Sequence, residues 1–171
     1  MSVPTQLQRL ADGIGAAVRL APDGMERGIR AALQEATLGE RWLPPERRRA
    51  NHERYARHVL YGDSAGRFSI LSLVWNHGQE SPIHGHQTWC AVGVYDGELT
   101  ETRYREGFGG RAPVEIGAER RAAGSLSFDP PQSAIHRIAN RSGSIAISLH
   151  VYGVAPDRIS TGVNRLYRSD K

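Results

Sequence analysis

Three of the seven histidines in this 171-residue chain fall where a metal could be held: His84 and His86, separated by one glycine, and His136, fifty residues further on. Residues two apart on a strand point to the same face, so His84 and His86 can join an imidazole from a neighbouring strand to cap one side of an ion. The other positions of that ion stay open for ligands. An inward His-x-His pair also places two polar rings in an interior, where their desolvation needs a partner, and a metal supplies one. Ser148, His150 and Tyr152 repeat the two-residue spacing. On one face of a strand they would form a relay from hydroxyl through imidazole to phenol, beside the open positions of the ion. A strand that is merely polar on one side has the same spacing. His52, His58 and His77 carry no such pattern and read as ordinary packed or surface residues.

The elements that must position these residues follow from periodicity. From Thr5 to about Leu38, apolar residues recur every three or four positions (Leu7, Leu10, Ile14, Val18, Met25, Ile29, Leu33), which predicts two amphipathic helices broken around Ala21-Pro22-Asp23-Gly24. A third helical piece is expected after Pro44-Pro45, running through Tyr55. From Phe68 onward the texture changes to short β-type runs: 67–75, 89–95, 98–105, 125–128, 135–139 and 144–152. Tyr95-Asp96-Gly97-Glu98 carries the Asp-Gly signal of a tight hairpin, and Arg158 to Arg168 could add one more strand over the pocket. Many short strands with close turns predict a sandwich or barrel, with the leading helices covering one face.

Composition bounds the function. A chain of 171 residues suits one domain, and no apolar run approaches the roughly 20 residues of a membrane span. Polar residues interrupt every apolar stretch between Met1 and Leu20, so no signal peptide is read there and the expected compartment is the cytoplasm. Cys90 is the single cysteine and cannot form an intramolecular disulfide. The net charge is +4, and Lys171 is the one lysine among 22 basic residues. The arginines are scattered, and Arg47-Arg48-Arg49 lacks interleaved aromatics, so a nucleic-acid partner is not expected.

The run from Gly78 to Gly97, with His84, His86 and Cys90 at set intervals, resembles the first motif of the cupin superfamily, with Cys90 where the usual form has Glu. Gly124, Pro130, His136 and Asn140 resemble the second motif. The resemblance implies an all-β, cupin-type jelly-roll barrel or sandwich preceded by N-terminal α-helices. The chain then reads as a single domain over 1–171, with 1–60 a helical segment packed on a barrel formed by 61–171. Without the glutamate the motif offers three neutral nitrogens. Fe(II) bound so keeps its full charge and favours an anionic ligand such as a thiolate, while Zn(II) is the chemical alternative.

Ser148-Leu149-His150-Val151-Tyr152, following His136-Arg137-Ile138-Ala139-Asn140, resembles the signature of the cysteine dioxygenase family of thiol dioxygenases. The likeness extends through Tyr55-Ala56-Arg57, Phe68 to Trp75, Pro82 to His86, and Gly97 with Glu101. It implies Fe(2+) held by His84, His86 and His136, and oxidation of a small thiol by O2 to the sulfinate without an external reductant. It also implies that Tyr152, oriented by His150 and Ser148, donates a hydrogen bond in the active site. Tyr55 and Arg57 would bind substrate, since a guanidinium grips a carboxylate through two charge-assisted hydrogen bonds. Family members with Arg at this position tend to be cysteine dioxygenases, and those with Gln tend to oxidise 3-mercaptopropionate. The spacing from His86 to Gly97 and the Gln87-Thr88-Trp89 text resemble the bacterial members. Cys90 nevertheless matches the cysteine that animal members join to the active-site tyrosine, which implies a Cys90–Tyr152 thioether. A small buried residue is the alternative.

L-Cysteine is therefore the first expected substrate. The rivals are 3-mercaptopropionate and mercaptosuccinate, the latter with Arg103, Arg105 and Arg137 as candidates for its second carboxylate. A cupin that only binds a ligand or metal is a reading of another class. A Zn-dependent isomerase or hydrolase would need a carboxylate base, for which Glu80 and Asp96 are the local candidates. The expected partners are the thiol and O2, with no membrane and a monomer or small homo-oligomer.

Overall fold

The structure, a computed structural model, describes residues 3–168, so the domain bounds 1–171 extend past it at both ends. Two helices lead, α1 (Val3–Ala17) and α2 (Pro22–Leu38). Pro22 occupies the first turn of α2, where its missing N–H costs nothing, and Asp23 beside it favours the positive helix start. Ten strands follow: β1 (Ala56–Gly62), β2 (Ser69–Trp75), β3 (His84–His86), β4 (Cys90–Asp96), β5 (Glu98–Arg105), β6 (Val114–Ala122), β7 (Leu126–Asp129), β8 (Ile135–Ala139), β9 (Ala146–Tyr152) and β10 (Asn164–Leu166), with a short helix α3 (Ile159–Gly162) before the last.

The strands form two five-stranded antiparallel sheets, ordered β1-β2-β9-β4-β7 and β10-β3-β8-β5-β6. Alternate residues of the first sheet serve two cores. Ile70, Val74, Ala91, Ile147, Leu149 and Val151 pack against Leu10, Ile14, Ile29 and Leu33 of α1 and α2. Leu71, Leu73, Trp75, Cys90, Val92, Val94 and Tyr152 point the other way and meet Leu99 and Ile138 of the second sheet. Because β2 and β9 are covered on both faces, every residue in them is buried. Each such Leu or Ile contributes about 1.5–3 kcal/mol through burial. The protein is thus mostly β but not all-β, because the helices supply one wall of the first core.

Three expectations need correction. The segment after Pro44-Pro45 makes only a single 3-10 turn, Pro45–Arg47, and the chain then enters β1 at Ala56, inside the 1–60 segment expected to be helical. This segment is strapped down instead: Tyr95 Oη accepts from Trp42 N and Leu43 N, and Ser72 Oγ donates to the Arg47 carbonyl. The Asp96-Gly97 turn is not a hairpin, because β4 and β5 lie in different sheets. Gly97, at φ 74°, turns the chain against Ala146, and a Cβ there would lie 2.8 Å from the Ile145 carbonyl oxygen. Finally, β6 was not read from the sequence. It is an edge strand, with exposed residues along almost its whole length.

Candidate active site

The second sheet brings the three histidines together. His84 on β3 lies directly opposite His136 on β8, and His86 shares the face of His84. The rings sit 4.6 Å (His84–His136), 4.9 Å (His86–His136) and 5.1 Å (His84–His86) apart, with candidate ligand nitrogens all within 4.8 Å of one another. The three residues are buried.

Hydrogen bonds fix which nitrogens remain available. His84 Nδ1 lies 3.0 Å from the Pro82 carbonyl, an acceptor only, so it carries the proton and leaves Nε2 with a free lone pair. His136 Nδ1 donates in the same way to Glu101 Oε1 at 2.8 Å. Among the described residues, His136 Nε2 and His86 Nδ1 are buried without a hydrogen-bond partner. Burial lowers His84 to about 4 and His86 to about 2, with His136 lowering both further. Neutral rings with unpartnered lone pairs are what a metal needs from its ligands, so the residues fit a metal ion.

A buried charge network that the sequence reading did not identify supports His136. Burial alone would push the Glu101 carboxyl up, but the His136 hydrogen bond and the nearby Arg103 and Arg121 outweigh it and hold it at about 2. Arg103 donates to Glu101 Oε1 at 2.7 Å and to Asp129 Oδ1 at 2.9 Å, and Arg121 reaches Glu101 Oε2 at 3.0 Å. The available signal was the period-two series Leu99, Glu101, Arg103 on one strand face. Its meaning depends on the pairing of β5 with β8, which places Arg103 opposite His136.

The first sheet supplies the facing wall. Ser148 Oγ and His150 Nε2 are 3.0 Å apart, and so are His150 Nδ1 and Tyr152 Oη, which makes one continuous line along β9. The Tyr152 ring centroid lies 6.2 Å from that of His86. Burial lowers His150 to about 3, and it raises Tyr152 and Cys90 well above their ordinary values. Cys90 is directly opposite Tyr152 in the β4–β9 register.

Arg57 sits at the rim of this site. Its Nη2 donates to Tyr55 Oη at 2.8 Å, its charge lowers both His84 and His150, and it lines a cavity of about 670 Å³ with Tyr55, Arg49 and Arg54. Two of the other candidate arginines are engaged, Arg103 as above and Arg137 with Glu80 at 3.3 Å, whereas Arg105 is exposed at the end of β5. The proposed bases are also committed, Glu80 to Arg141 and Arg137 and Asp96 to Arg41. His58 and His77 hold the backbone carbonyls of Arg49 and Ser142. Asn140, which the motif flagged, donates to the carbonyls of Trp75 and Ser144 and braces a loop.

The family model described as cysteine dioxygenase type I matches residues 46–161, which contain the three histidines, the Ser148–His150–Tyr152 line, Cys90 and Arg57. The chain belongs to the cysteine dioxygenase type I family. Solved structures with similar folds include a double-stranded β-helix protein from Klebsiella pneumoniae (17% identity, 77% of this chain and 99% of that one, TM-score 0.54) and a Thermus thermophilus protein (23% identity, 67% and 97%, TM-score 0.52). At such identities the likeness concerns the fold alone. In this cysteine dioxygenase family member, the matched region begins with the strap that carries Tyr55 and Arg57 and ends just beyond β9.

Proposed function

We propose that this protein is a thiol dioxygenase that oxidises a small carboxylate-bearing thiol, L-cysteine first, to its sulfinic acid at a mononuclear Fe(2+) held by His84, His86 and His136 inside a cupin-type jelly roll. The observation that carries this reading is the Ser148–His150–Tyr152 line, whose phenol end lies beside His86 of the three-histidine group. Mere binding of a metal or ligand does not need such a line.

Bound there, Fe(II) would supply Lewis acidity toward the thiol and one-electron chemistry toward O2. The balance is R–SH plus O2 to R–SO2H, with both oxygen atoms retained and no reductant. The protein residues do the remaining work. Three neutral ligands leave the ion's charge undiminished, which favours the thiolate form of the substrate. Arg57, held by Tyr55, grips the carboxylate at the rim and so sets the distance of the sulfur from the histidines. Tyr152, kept protonated by burial, remains a hydrogen-bond donor. Leu71, Leu73, Val92 and Ile138 wall the space between the sheets with apolar surface.

Because Arg103 and Arg137 are tied to carboxylates, a thiol with one carboxylate suits the site better than mercaptosuccinate. A cytoplasmic setting suits the unpaired Cys90. Turnover of L-cysteine, 3-mercaptopropionate and mercaptosuccinate at equal iron loading tests the substrate, and negligible cysteine turnover overturns that assignment. Arg57→Ala should raise KM for the preferred thiol about ten-fold or more while iron content holds, since a charge-assisted carboxylate contact is lost.

A further inference from the structure

Trp75, at the end of β2, is where the relay strand and the arginine arm meet. It is 1% exposed, its Nε1–H donates to Ser148 Oγ at 3.0 Å, and its ring stacks on Tyr55 with centroids 4.2 Å apart and planes at 22°. Tyr55 in turn accepts the hydrogen bond from Arg57.

An indole N–H can only donate. Ser148 Oγ is therefore an acceptor toward Trp75; the incoming N–H polarises the hydroxyl toward donation and opposes a second N–H, so its proton goes to its other neighbour, His150 Nε2, and among the described residues it has no third partner. His150 is neutral, so accepting at Nε2 places its proton on Nδ1, which donates to Tyr152 Oη. Tyr152 then accepts from behind, and its O–H is left to donate into the space beside His86. Without the indole donor that polarisation is lost, and the reverse order, in which Nε2–H donates to Ser148 and Tyr152 spends its proton on Nδ1, becomes less unfavourable.

We propose that Trp75 is a positioning residue that sets the direction of the relay through its indole N–H and steadies the carboxylate arm through its ring face, coupling substrate seating to donation by Tyr152. The kinetic half of this inference rests on the thiol dioxygenase reading, whereas the hydrogen-bond half rests on geometry alone.

The two halves are tested separately. NMR of the full-length protein, labelled with 15N-histidine and loaded with diamagnetic Zn(II), reads the His150 tautomer without substrate or turnover, with His150→Gln giving the assignment. The wild type should show Nδ1–H. Trp75→Phe keeps a stacking ring and loses the donor, so the Nε2–H form should appear. In the iron-loaded protein, Trp75→Phe should lower kcat roughly ten-fold, the worth of one directed hydrogen bond, with KM within about two-fold. Trp75→Leu, which loses the ring face as well, should lower kcat and raise KM together. Trp75→Phe with the wild-type tautomer and kcat overturns the proposal and leaves the dioxygenase reading intact. A tautomer shift in Trp75→Phe, together with a wild type that oxidises no thiol, overturns that reading and leaves the hydrogen-bond half standing.

Discussion

The carboxylate missing from the ligand set reappears one contact away, on Glu101, which holds His136 by its far nitrogen. The ion would thus keep three neutral ligands, while one of them is oriented and made more basic by a charge. The histidines and the Ser-His-Tyr strand were legible in the sequence because a two-residue spacing carries its own geometry. Glu101, Asp129 and Arg103 were not, because their roles exist only once β5, β7 and β8 are brought together. For Cys90 the resemblance implied a link to Tyr152, and the β4–β9 register sets the two residues directly opposite each other. Directly opposed residues have Cβ atoms about 4.5–5.5 Å apart, within reach of a bond from Sγ to the phenol ring. A thioether there would remove the thiol hydrogen and one ring hydrogen, with O2 as oxidant. Peptide mass spectra of iron-loaded, aerobically turned-over protein should show the two segments joined with a loss of two hydrogens, and separate unmodified peptides would exclude the crosslink.

At the scale of elements, both sheets need a backing. The second sheet presents the histidines, while the first presents the relay strand and leans on α1 and α2. The two helices approach closely through small residues: a Cβ on Gly13 would sit 3.0 Å from that of Ala32, and one on Gly28 would sit 2.7 Å from that of Ala17. Gly28→Ala therefore sets two effects against each other. Helix propensity favours alanine by about 1 kcal/mol, whereas overpacking costs about 1–3 kcal/mol. Backbone and a short side chain cannot yield easily, so the variant should be less stable, with a lower urea midpoint; a higher midpoint would mean that the helices do not pack this tightly. The strands β2, β4 and β9 were legible because their apolar runs are strong, and β5, β7 and β8 because β-branched and aromatic residues stand between turn signals. β6 escaped because its alternation of Val114, Ile116 and Ala118 with Glu115, Gly117 and Glu119 is weak, and Glu119-Arg120-Arg121 then runs as a charged stretch along an exposed edge strand. β1 escaped because its arginine-rich approach reads as a helix, whereas the chain there is held by contacts to β2 and β4 that are remote in sequence.

For the whole molecule, the site is a store of neutral imidazoles in a dry interior, and this sets a pH dependence. Burial, followed by neighbouring positive groups, holds His84, His86 and His150 at about 4, 2 and 3 against an ordinary 6.5. Above pH 6.5 these rings are neutral in both the folded and unfolded metal-free chain, so stability is intact. Below it the unfolded chain takes up protons that the fold refuses, and stability falls as pH drops from 6.5 toward 4. At pH 5.5 the loss is on the order of 1 kcal/mol for each imidazole. Glu101 acts lower down: held at about 2 against 4.5, it stabilises the fold above 4.5 and loses that contribution as pH falls toward 2. Urea midpoints of the metal-free protein at pH 7.5 and 5.5 should therefore differ, with the lower value at pH 5.5, and equal midpoints would contradict the buried neutral rings. In the proposed chemistry, a three-histidine face, a directed phenol and an arginine arm together insert both atoms of O2 into one thiol. Turnover of L-cysteine by the iron-loaded protein under 18O2, read by mass spectrometry of the product, tests it most directly. The expected product is a sulfinate carrying two 18O atoms with one O2 consumed per thiol; disulfide or unlabelled product, or no O2 uptake with any of the three thiol acids, rules this chemistry out.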